Sequence, residues 1–137
     1  QYIVVMVGSE QYGIDISYID NIVRMQKITR VPKVQTYFKG VINLRGEIIP
    51  VMSIRLKLGL EDDNYTDKTR IIIIKVDGAT IGVIVDQVKE VVTLESTDIE
   101  TVARSGSLVG SGYISAIGKS NDELISLLDI VALIEES

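Results

Sequence analysis

The chain of 137 residues contains no histidine, no cysteine and no tryptophan, one phenylalanine and two prolines. Without histidine or cysteine there is no Ser-His triad, no Cys-His pair, no ordinary zinc site and no phospho-acceptor histidine. Catalysis would have to run on carboxylates, lysines or tyrosines, so the chain is expected not to be an enzyme and to need no cofactor. The missing cysteines exclude a disulfide framework and agree with a reducing compartment, the cytoplasm.

Charge of one sign is also thinly supplied. Lys and Arg total 14 against 19 Asp and Glu, a formal net charge of −5, and no basic run of the kind that tracks a phosphate backbone occurs. Nucleic acid is therefore not an expected partner. No apolar run approaches the length of about 18 residues needed to span a bilayer, so direct membrane insertion is not expected. The chain opens on Gln1 without a methionine and Tyr2 already reads as strand, so a short native N-terminal segment is expected to have been trimmed, with no signal peptide in view.

What is present is β-rich: 46 % of residues are apolar, dominated by isoleucine and valine. Tyr2 to Val7 and Gln11 to Ile16, separated by Gly8-Ser9-Glu10, read as a first hairpin. Ser17 with Asp20 three positions on, and Ile19, Ile22 and Val23 at helical spacing, predict a capped helix of about two turns. Val31-Pro32 ends any helix before it, and Tyr37-Phe38 leads into two apolar runs, Val41 to Leu44 and Ile48 to Met52, around Arg45-Gly46-Glu47. These two runs predict a tight hairpin with an arginine at its tip. Ser53 to Leu58 before Gly59 reads as a short helix with a glycine stop, and Glu61 to Lys68 as an exposed acidic loop. Arg70 to Val76 and Thr80 to Asp86 flank Asp77-Gly78, a favoured type I′ turn. Val88 to Leu94 is a further strand, Ser96 to Glu100 begins a loop, and Arg104 to Gly112 is Gly/Ser-rich and expected to be mobile. Tyr113 to Ile117 and Glu123 to Leu128 pair around a turn at Gly118 to Asp122, and Asp129 caps a closing helix. About nine or ten short strands with frequent turns predict an all-β barrel or sandwich.

The segment Lys39-Gly-Val-Ile-Asn-Leu-Arg-Gly-Glu-Ile-Ile-Pro-Val51 resembles the signature of the CheW family of chemotaxis coupling adaptors. Four further blocks agree in order: Tyr-Gly-Ile-Asp-Ile (12–16), the Asp77-Gly78 hairpin, Gly-Val-Ile-Val-Asp-Gln-Val (82–88), and Leu124 to Leu128 running into Asp129. The resemblance implies two packed SH3-like five-stranded β-barrels with short helices. The expected division is roughly 17–70 and 71–128, with the hairpin 2–16 and the helix 129–136 packed on them. It also implies a non-enzymatic scaffold, cytoplasmic at receptor clusters, that couples methyl-accepting chemoreceptor tips to the SH3-like regulatory domain of the chemotaxis histidine kinase. Three alternatives are a coupling domain attached to a response regulator, the regulatory domain of the kinase itself, and a small-ligand-binding β-barrel.

Arg45 at the tip reads either as a solvated turn charge or as a forked donor for a partner's carboxylates, and the resemblance favours receptor coupling. Asn43 and Gly46 beside it, with Val85, Val88 and Val91 lining a groove between the barrels, complete the expected receptor surface, although most valines of such strands are barrel interior. Ile19, Asn21 and Gly40 are the expected kinase-facing residues, although an isoleucine such as Ile19 is more often simply core. Gly40 and Gly46 each point to a positive φ or a close backbone approach. Gly112 to Ser120 imitates a phosphate-binding loop with one spacer residue too many and no following helix, and Asp62 to Asp67 lacks the glycine and glutamate that a calcium loop needs. With one phenylalanine and no tryptophan, a sugar-stacking surface is poor.

Overall fold

Four consecutive isoleucines, Ile71 to Ile74, are all at most 1 % exposed. Successive side chains of a strand point to opposite faces, so a fully buried run requires apolar cover on both sides, and the architecture supplies it. The computed structural model describes residues 1–32, 34–101 and 112–135.

In chain order the strands are β1 (Tyr2–Val7), β2 (Glu10–Asp15), β3 (Ile19–Arg24), β4 (Phe38–Leu44) and β5 (Glu47–Ser53), followed by the short helix α1 (Ile54–Lys57). Then come β6 (Arg70–Val76), β7 (Ala79–Val85), β8 (Gln87–Val92), β9 (Ile99–Thr101), β10 (Ile114–Ser120), β11 (Glu123–Leu128) and the helix α2 (Ile130–Glu135). They form a six-stranded sheet in the order β8-β1-β2-β11-β10-β9 and a five-stranded sheet in the order β3-β6-β7-β5-β4. Pairings are antiparallel except β2 with β11 and β5 with β7.

Strand parity sorts the apolar side chains into three cores. Ile71, Ile73 and Ile84 face inward with Ile42, Ile49 and Val51, filling the five-stranded barrel. Val4, Ala116, Ile125 and Leu127 fill the other. The alternate residues Ile72, Ile74, Val83 and Val85 meet Ile3, Val5, Val7, Tyr12 and Ile14 between the barrels, closed by Ile54 of α1 and Ile130 and Leu133 of α2. The result is two SH3-like barrels packed face to face around the largest core, the fold expected from the sequence.

The structure corrects four expectations. Residues 17–23 do not form a two-turn helix: a single 3₁₀ turn, Ile16–Tyr18, is capped by the Asp15 carboxylate accepting the Ser17 N–H at 2.9 Å, and β3 follows. A bulge between Ile19 and Asn21 puts Ile19 opposite Ile74 and Ile22 opposite Ile72, hence on one face. One extra residue in a strand thus reproduces the i, i+3 spacing of a helix. Gly118 to Ser120 belong to β10, and the turn is only Asn121-Asp122, both at positive φ (51° and 64°). Gly118 instead serves packing, because a Cβ there would stand 2.6 Å from Leu94 Cδ1. With β3 and β9 added, the strands among the described residues number eleven. The pairing also places the change of sheet after Val85, not near 70: β6 and β7 belong with β3 to β5, and the N-terminal hairpin is an integral part of the other sheet. Residues 104–111 of the expected Gly/Ser-rich loop lie outside the described residues.

Candidate functional site at the Arg45 hairpin

β4 and β5 pair from Phe38 with Met52 to Leu44 with Glu47, leaving Arg45-Gly46 as a two-residue loop. Arg45 has φ 54° and Gly46 φ 84°, the pair of positive values that a type I′ turn demands and that matches the twist of the strands. Asn43 Oδ1 accepts the Gly46 N–H at 3.0 Å and fixes the turn. Arg45, Asn43 and Gly46 are exposed, and Arg45 makes no ion pair among the described residues.

The sequence reading missed an apolar neighbour of this tip. Ile48 stands directly opposite Asn43 and is 60 % exposed, while Ile49 points into the barrel. Two adjacent isoleucines in a strand must face opposite ways, but whether either meets solvent depends on what covers each face, as the buried run Ile71 to Ile74 shows. On the same outer face Val41 pairs with Pro50, so the hairpin presents an apolar strip ending in a guanidinium.

The other expected receptor residues are not all at the surface. Val85 is fully buried in the core between the barrels, Val88 is half-buried against that core, and Val91 on β8 is 51 % exposed. Val85 therefore offers no atom to a partner. Among the described residues β8 pairs only with β1, so it forms an edge of its sheet.

Ile19 and Asn21 lie on β3, the edge strand of the five-stranded sheet, and not on a helix. Ile19 packs partly into the core. Asn21 Oδ1 is shielded from solvent and accepts no hydrogen bond among the described residues. Gly40 is buried at φ 141°, and a Cβ there would fall 2.1 Å from the Thr29 carbonyl oxygen. That carbonyl accepts the Val41 N–H, and Thr29 N–H donates to Val41 O, both at 2.8 Å. Gly40 thus lets residues near Thr29 close over the edge of β4.

A second arrangement ties the two barrels together. Arg55 of α1 donates from Nε and Nη2 to Asp86 Oδ1 and Oδ2 at 2.9 and 2.7 Å, and Asp86 Oδ2 also accepts the Gly8 N–H at 2.8 Å. The Arg55 hydrogen bonds hold the Asp86 carboxyl below its ordinary value of 3.8. Asp86 sits where the chain leaves one sheet for the other, so one carboxylate joins α1, the β1–β2 turn and the crossover. Lys57, buried on the same helix, lies 3.8 Å from the Tyr37 ring centroid and 5.4 Å from that of Tyr113.

The sequence model of the CheW-like domain matches residues 1–137. The chain belongs to the CheW-like domain family. It is 37 % identical over 134 residues to the chemotaxis protein CheW of Bacillus subtilis strain 168, covering 98 % of this chain and 86 % of the relative. It is 33 % identical over 136 residues to the chemotaxis protein CheW of Helicobacter pylori, covering 99 % and 82 %. The crystal structure of the scaffolding protein TtCheW from Thermoanaerobacter tengcongensis superposes with a TM-score of 0.90 at 30 % identity, over 98 % of this chain and 91 % of that one. The chain is thus a CheW-type chemotaxis scaffold. Among the described residues of this CheW-like chain, no helix is long and apolar enough to cross a membrane.

Proposed function

We propose that the chain couples transmembrane chemoreceptors to the chemotaxis histidine kinase in the cytoplasm, at receptor clusters on the inner face of the membrane, and does so without chemistry of its own. One observation carries this reading: the Arg45 backbone. Of the non-glycine residues at positive φ among those described, Asp77, Asn121 and Asp122 are of the types that tolerate the left-handed region, and Arg45 alone is not. A strained position held by a residue poorly suited to it points to a side chain kept for what it binds. A guanidinium on a stiff hairpin, beside Asn43 and the exposed Ile48, suits a helical receptor tip bearing a carboxylate and an apolar ridge. Val91, with the exposed part of Val88, on the edge of the other sheet, would supply further receptor contacts.

The kinase's SH3-like regulatory domain would meet the β3 face through Ile19 and Asn21, with Gly40 acting through the backbone closure it permits. Both contacts would be made by one body with a continuous core, so a change at the receptor tip alters an interface shared with the kinase. Affinities for the separate partners should be on the order of micromolar, because an adaptor in an array gains strength from simultaneous contacts.

The test is titration calorimetry of the chain with a receptor cytoplasmic fragment and, separately, with the kinase regulatory domain from the same source. Binding to both, with Arg45→Ala weakening the receptor complex alone by more than about 1 kcal/mol, is the expected result. Binding to neither would overturn the reading.

A further inference from the structure

Beside the five-stranded barrel lies an open cleft of about 630 Å³, within the range of small-molecule sites of roughly 300–1,000 Å³. Its walls come from four separate parts of the chain: the β3–β4 connection, the start of β4, α1, and the acidic loop after α1. The floor is apolar, made by Met25, Ile28, Phe38 and Leu56. Each of these side chains is only half-buried, so the fold leaves apolar surface in contact with water there.

The rim is where the charges stand. Lys39 is already engaged, donating to Asp62 Oδ1 at 2.7 Å and fastening the acidic loop to the barrel wall. Arg30, also lining the cleft, makes no ion pair among the described residues. Among the described residues that line the cleft, two cations stand against one carboxylate, a net charge of +1 in a chain whose net charge is −5. Tyr65, on the loop, adds a hydroxyl and a ring at the mouth.

We propose that this cleft binds a small organic anion with an apolar body, an aryl or branched alkyl carboxylate, its carboxylate on the Arg30 guanidinium and its body on Met25, Ile28, Phe38 and Leu56. The forked guanidinium suits a planar carboxylate, and the floor supplies the apolar burial that gives such ligands their affinity. Phe38 opens the same β4 strand that leads into Arg45 through Leu44, so an occupied cleft touches the base of the hairpin whose tip is the candidate partner surface. The site is independent of the coupling reading, and either can fail without the other.

The experiment is a ¹⁵N-¹H correlation titration of the whole chain with 4-phenylbutyrate and, as an uncharged control with the same body, 4-phenylbutan-1-ol. Saturable shifts at Met25, Ile28, Phe38, Leu56 and Tyr65 with the acid are expected, with the alcohol binding about tenfold more weakly. Arg30→Glu, at an exposed position that leaves the fold intact, should reduce the acid's affinity to that of the alcohol, and Arg30→Lys should restore most of it. No saturable shifts, shifts confined to other residues, or equal affinity for acid and alcohol would each overturn the proposal.

Discussion

Arg45 holds a backbone conformation that crowds the Cβ of an L residue against its own carbonyl, at a cost of about 1 kcal/mol that asparagine largely avoids. Arg45→Asn should therefore raise stability by about 0.5–1 kcal/mol in urea unfolding while removing the forked donor from the tip. A gain in stability with a loss of receptor binding separates a functional side chain from a structural one, and a loss of stability would show that the arginine supports the fold. Gly40 is the opposite case. Its φ of 141° and the Thr29 oxygen 2.1 Å from a notional Cβ leave no space for a side chain, so Gly40→Ala should cost about 3 kcal/mol or more. A Cβ at Gly46 would meet nothing within 4 Å among the described residues, so a side chain there is disfavoured by φ and not by space. The sequence pointed to both glycines without distinguishing these causes, since steric contact with Thr29 depends on a pairing formed through space.

At the scale of elements, the acidic loop between α1 and β6 is not simply a solvated connection. Asp62 is held by Lys39, while both carboxylate oxygens of Asp63 are shielded from solvent and accept no hydrogen bond among the described residues. Burial pushes the Asp63 carboxyl above 3.8, and the nearby Ser53 hydroxyl and Lys39 ammonium only partly offset it. A carboxyl whose folded value is raised opposes folding when ionised and ceases to do so as pH falls through that value. Asp63→Asn should therefore stabilise the chain at pH 7, by about 1 kcal/mol, and the gain should disappear below the unfolded value of 3.8. Urea unfolding at pH 7 and near pH 3.5 checks both halves, and a gain independent of pH would rule out titration as its cause. The hairpins were legible from their turn dipeptides, because Asp77-Gly78 and Arg45-Gly46 encode local geometry. β3 was not, because its bulge reproduces the spacing of a helix.

For the whole molecule, the decisive polar contact is Asp86 with Arg55 and the Gly8 amide, which fastens the two barrels at the crossover. Arg55 stabilises the ionised Asp86, so its folded value is depressed; the stabilisation is fully present above the unfolded value of 3.8 and is lost as pH falls through the depressed one. Asp86→Asn should cost about 1–2 kcal/mol at pH 7, after allowance for partial exposure. The difference from the parent chain should shrink below pH 4 in a series of urea titrations. A pH-independent difference would mean that shape, not charge, makes this contact. If one stiff body transmits between partners, Asp86→Asn should also weaken the coupling between receptor and kinase binding more than either affinity alone.

The sequence by itself determined the class of fold, most of the strands, the helix cap at Asp129, and the tip carrying Arg45, because periodicity, turn chemistry and capping act over a few neighbouring residues. Only the tertiary structure decided which strands share a barrel, that Val85 is core while Ile48 is exposed, and that Arg55 meets Asp86. Those outcomes depend on which face of each strand another strand covers, and that is settled by pairings between residues far apart in the chain.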